Sequence, residues 1–203
     1  MGAQASASSL WDVGRLKAAL RVTRTATPRA SPTVRAMTTG DMGRGGTSPD
    51  ADRRRWMRGG VLLGLGLGGF FDGIVIHQLL QWHHMVSAIH PPDTLENLRL
   101  NTVGDGLFHA ATWVFTAVGA FLLWSGLRGH HPAWHTSAFV GTLLFGFGLF
   151  NVVEGLIDHQ LLGIHHVRPG PYQLAYDIGF LIWGAVMLLG GWGLMRNVRR
   201  AGG

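Results

Sequence analysis

The chain has no cysteine, which excludes disulfides, thiolate metal sites and cysteine nucleophiles. Charge is scarce as well: Asp, Glu, Lys and Arg make up 14% of the residues, against about 25% in soluble domains. Lysine occurs only at Lys17, and no Lys or Arg falls inside the long apolar runs. No serine-centred nucleophile constellation is visible either. What the chain has instead is 47% hydrophobic residues, 31 glycines and 8 tryptophans. That mixture suits closely packed membrane helices with aromatic residues at their ends.

The basic excess is local. Residues 1–58 carry eleven Lys and Arg against four acids, whereas the rest carries six Arg against seven acids. All 11 histidines follow residue 76. Residues 1–55, rich in Ala, Ser, Thr, Arg and Gly without apolar periodicity, read as a disordered basic tail. Met37, Met42 and Met57 are alternative starts if the tail is not translated. An Arg- and Ser-rich, acid-poor stretch also has the character of a transit peptide. Nothing aromatic or motif-like accompanies its arginines, so nucleic-acid binding is not expected.

Residues 56–200 form one all-α domain. Four apolar runs, about 60–82, 103–126, 137–162 and 174–195, are each near the roughly 20 residues that cross a bilayer as a helix. Arginines at 53–55, 58, 128, 196, 199 and 200 flank one side, and only Arg99 and Arg168 flank the other. The positive-inside rule then places both termini in the cytoplasm of a cell inner (plasma) membrane, with the loops at Pro91–Pro92 and Pro169–Pro171 outside. Gly64-Leu-Gly66-Leu-Gly68-Gly69 matches a dinucleotide-binding fingerprint literally. No strand precedes it, and Gly60, Gly64 and Gly68 recur every fourth residue, as close helix approach requires.

Asp72-Gly-Ile-Val-Ile-His-Gln-Leu-Leu-Gln-Trp-His-His84 aligns without gaps to Glu154-Gly-Leu-Ile-Asp-His-Gln-Leu-Leu-Gly-Ile-His-His166, 82 residues on, with seven of thirteen positions identical. We read this as an internal repeat of two helix pairs related by a pseudo-twofold axis along the membrane normal. His77 and His159 are expected near the outer interface, with Asp72 and Glu154 about 7.5 Å deeper in α-helical geometry. The returning helices open with acids. Asp105 and His109 share one face at i, i+4, and Asp177 takes the comparable place with Leu181 opposite His109.

Each acid at a helix centre costs about 2.5–3.5 kcal/mol on insertion scales, so Asp72, Asp105, Glu154, Asp158 and Asp177 need neutralising partners. Imidazole with carboxylate and no thiolate suits copper(II), zinc, iron or manganese. His77 and His159 are therefore expected to share a metal supported by Asp72 and Glu154. His83, His84, His165 and His166 are candidates for entrance or secondary ligands. The alternative is a His–Asp hydrogen-bond network that only joins helices. His130, His131 and His135 fall in the opposite loop and His90 before Pro91, as solvated residues.

The paired motif, with Asp105-Gly-Leu-Phe-His109 between its copies, resembles an uncharacterised bacterial family of four-helix membrane proteins, over about residues 56–198. Some members are fused to assembly factors of caa3-type cytochrome c oxidase. By association the resemblance implies copper handling or respiratory oxidase biogenesis, with an oxidase or its assembly factors as partner. Three functions remain open: a metal-binding accessory protein, a non-haem metal-dependent membrane oxidoreductase, and a b-type cytochrome with haem between His77 and His159.

Overall fold

The computed structural model describes residues 48–128 and 136–201, with side chains to residue 197. The tail before residue 48 and the loop with His130, His131, Trp134 and His135 lie outside the described residues.

Helix α1, Pro49–Phe71, starts on a strong local signal. The Ser48 hydroxyl accepts from the Ala51 N–H at 3.3 Å, Pro49 opens the first turn, and Asp50 and Asp52 sit at the positive end of the helix dipole. The helix thus begins inside the stretch that composition assigns to the tail. Asp52 and Trp56 are buried there, and the Trp56 ring packs 6.1 Å from Phe139. Helix α2, Leu95–Leu127, begins eight residues earlier than the apolar run suggests. It follows Pro91–Pro92, and the Thr94 hydroxyl accepts from the Asn97 N–H at 3.1 Å. Helix α3 is Thr136–Glu154 and α4 is Gln173–Ala201. Both α1 and α3 run on as π-helical turns, Asp72–Leu79 and Gly155–Leu161. Among the described residues there is no strand, and four spans are long and apolar enough to cross a membrane.

The central pair is α1 with α3; α2 packs on α1, and α4 on α3. Glycine sets these distances. A methyl group at Gly64 would strike the Leu143 carbonyl, and one at Gly146 would strike the Val61 carbonyl. Both members of each contact lie 82 residues apart from their counterparts. Likewise Gly59 and Gly119 face one another between α1 and α2, as Gly141 and Gly191 do between α3 and α4. The GxGxxG run is therefore a packing seam: Gly60 abuts Thr142, Gly68 abuts Phe150, and Gly66 abuts Thr112 and Thr116. The remaining faces of α2 and α4 expose Leu107, Trp113, Phe121, Trp183, Val186 and Leu189, as a helix in contact with lipid does.

Candidate metal centre

The two π turns decide the geometry of the polar cluster. At 3.6 residues per turn, residues five apart lie about 140° apart around a helix. Bonding from i to i+5 returns them to one side. The last such bonds, Leu80 N–H to the Val75 carbonyl and Leu162 N–H to the Ile157 carbonyl, are each 2.8 Å. Asp72 and His77 consequently share a face, and His77 Nε2 lies 3.0 Å from Asp72 Oδ2. Two residues beyond each π turn stands a left-handed residue, Gln81 at φ 50° and Gly163 at φ 57°. That reversal folds His83–His84 and His165–His166 back over the helix ends.

The returning acids fasten this arrangement. Asp105 accepts from His77 Nδ1 at 2.9 Å, His84 Nδ1 at 2.7 Å, the Met85 N–H at 2.9 Å and Gln78 Nε2 at 3.2 Å. Asp177 accepts from His166 Nδ1 at 2.7 Å and the Val167 N–H at 3.0 Å, and stands 3.7 Å from His159 Nδ1. The other two histidines cross between the halves. His83 Nδ1 donates to the Val167 carbonyl at 2.9 Å, and His165 Nδ1 donates to the Met85 carbonyl at 3.0 Å. Burial pushes His83 down to about 4 and His165 down to about 3, so both rings are neutral at pH 7.

With Nδ1 donating to a carbonyl, the second ring nitrogen of neutral His83 and His165 carries a lone pair. Among the described residues the Nε2 atoms of His83, His159 and His165 have no hydrogen-bond partner, and neither has His159 Nδ1. Asp72 Oδ1 and Glu154 Oε2 also lack one. All six residues are buried, His77 and His165 completely. His77 Nε2 stands 3.0 Å from Asp72 Oδ2, a spacing that a hydrogen bond from the ring fills and that a shared cation would fill equally. Two donors about 2.1 Å from one ion and at right angles stand about 3.0 Å apart, the spacing found here. Three trios of donors lie within 4.8 Å of one another: His77, His83 and His165; Glu154, His159 and His165; Asp72, His77 and Glu154.

The candidate residues divide accordingly. His77, His83, His159, His165, Asp72 and Glu154 converge. His84 and His166, with side chains 17% and 20% exposed, hold Asp105 and Asp177 from outside instead of joining a trio. His109 donates to the Asp105 carbonyl at 2.8 Å and packs beside Gly73 and Phe70, and Asp158 is half-buried; neither belongs to a trio. Sequence reasoning passed over Phe108 and Phe180, which flank His77 and His159 at ring distances of 5.6 and 5.3 Å. The signal was present: each stands three residues after Asp105 or Asp177.

A family model described as a predicted membrane protein (DUF2243) matches residues 59–198. No curated protein and no solved structure matches.

Proposed function

The chain belongs to this family of predicted membrane proteins, and from that premise we propose that it holds divalent transition-metal ions between its two helix pairs. One observation carries the reading. Four buried imidazoles crowd around two buried carboxylates, with the Nε2 atoms of His83, His159 and His165 unpartnered, while acids and carbonyls engage the far nitrogens of three of the rings. That far-side bonding fixes the tautomer and ring orientation of metal-ligating histidines. The donors are nitrogen and oxygen only, which suits copper(II), zinc, iron or manganese and disfavours a copper(I) carrier.

The role we assign is metal handling at the outer leaflet of the plasma membrane, with both termini cytoplasmic. Copper supply beside a respiratory oxidase or its assembly factors is the specific form to test. A non-haem oxidoreductase is the second reading. It is favoured by the trio of Glu154, His159 and His165, a two-histidine, one-carboxylate set that leaves coordination positions open. Haem between His77 and His159 is disfavoured by crowding. His83 lies 4.4 Å from His77 and 6.2 Å from His159, and His165 lies 5.8 and 4.9 Å from them, in the space a macrocycle would need.

Elemental analysis and an absorption spectrum of the detergent-purified protein test this reading. A stoichiometric transition metal without a Soret band is expected, and the combined His77→Ala and His159→Ala variant should lose it. A Soret band would transfer the case to haem. A metal-free wild type whose variants only unfold earlier would leave the cluster as a helix-joining network. For the orientation, Thr94→Cys should react with an impermeant reagent in intact cells; protection would overturn it.

A further inference from the structure

Asp72, Asp105, Glu154 and Asp177 are each at most 5% exposed, and among the described residues the ion-pair partners of all four are histidines. A buried carboxylate carries a penalty of several kcal/mol unless an opposite charge offsets it. Divalent ions would supply such charge.

Geometry points the same way. Donors about 2.1 Å from a single ion can be separated by at most about 4.2 Å. None of the three trios within 4.8 Å contains both His77 and His159. His83 and His165 share a trio, yet their rings are stacked, 4.6 Å apart with planes inclined by 13°. Lone pairs in offset, nearly parallel planes do not meet at one ion. Each half, however, has a carboxylate beside its own histidines. Asp72 Oδ2 lies 3.0 Å from His77 Nε2 and 4.0 Å from His83 Nε2, and Glu154 Oε1 lies 3.6 Å from His165 Nε2. Asp72 and Glu154 come together in the third trio.

We propose that the centre holds two divalent first-row ions, one on Asp72, His77 and His83 and the other on Glu154, His159 and His165, with the two carboxylates between them. This rests on the metal-binding reading above and specifies its nuclearity. Paired ions in such sites stand about 3.5–4 Å apart, close enough for their unpaired spins to couple.

The test uses the full-length chain, freed of metal in detergent and dialysed against copper(II). Two coppers per chain are expected by elemental analysis, with an electron paramagnetic resonance signal well below the copper count. The His77→Ala/His83→Ala variant should keep one copper with full signal, and so should His159→Ala/His165→Ala. One copper per wild-type chain overturns the two-ion centre and leaves the metal reading intact. No copper, with zinc and iron(II) also failing to bind, overturns both. The wild-type count decides without relying on any variant to fold.

Discussion

In residues 49–128, Asp105 holds His77 at 2.9 Å and His84 at 2.7 Å, with Gln78 and the Met85 N–H as further donors. In residues 136–197, Asp177 holds His166 at 2.7 Å but stands 3.7 Å from His159 and receives no glutamine. His109 beside Gly73 has its counterpart in Leu181 beside Gly155, and the strained Gln81 has its counterpart in Gly163. The residues aimed at the centre are matched between the halves, while those behind them differ. The first half is held ready by a fuller hydrogen-bond set, and the second is the looser partner.

The largest effect is expected where the halves depend on each other. His83 and His165 each bond a carbonyl of the opposite half, so the backbone of each half helps to place a ligand of the other. The His83→Ala/His165→Ala variant should bind metal at least tenfold more weakly than wild type, read by elemental analysis on matched preparations. Unchanged metal content would reduce the crossing to a structural contact.

Next come the acids behind the ligands. Losing such a partner typically costs about 10–100-fold in metal affinity. Asp105→Asn should lie toward the upper end and Asp177→Asn toward the lower, because only Asp105 reaches its trio histidine within hydrogen-bond distance. Competition with a chelator measures both. Equal losses, or a larger loss at Asp177, would remove the distinction between a tight and a loose half.

Acid should weaken the metal-free fold. His83 titrates at about 4 and His165 at about 3 in the folded chain, against about 6.5 unfolded. Between these values the unfolded chain binds more protons, so stability falls as pH drops below about 6.5. Thermal unfolding of the metal-free protein at pH 7.5 and pH 5 should show the fall, and His83→Gln should lessen it. A melting temperature independent of pH would contradict the buried neutral rings.

The smallest effect is at the turn. Gln81 adopts the backbone that Gly163 adopts in the other half, at a cost glycine does not bear. Gln81→Gly should therefore be neutral to about 1 kcal/mol stabilising in denaturant unfolding. Clear destabilisation would show that the Gln81 side chain is needed where it stands.

Much of this was legible beforehand. Apolar length marked the four spans, and His-Gln-Leu-Leu with His-His marked both polar turns. The start of α1 was missed because an uncharged apolar run is a criterion for lipid, and Ser48-Pro49-Asp50 is a capping signal in polar sequence. The π winding was not legible, because Asp72 and His77 read as α-helical neighbours five apart; only i to i+5 bonding makes them face one another. His83 and His165 looked like helix-end residues. Their burial depends on left-handed turns at Gln81 and Gly163 and on carbonyls 84 and 80 residues away, a pairing that no local pattern encodes.

X-ray absorption at the edge of the bound metal addresses the convergence of the four imidazoles directly. The expected spectrum has only nitrogen and oxygen neighbours at about 2.0–2.2 Å, with the outer-ring scattering of imidazole. That scattering should diminish in the His83→Ala/His165→Ala variant. A bound metal without imidazole scattering, or with scattering unchanged in the variant, would contradict the centre described above.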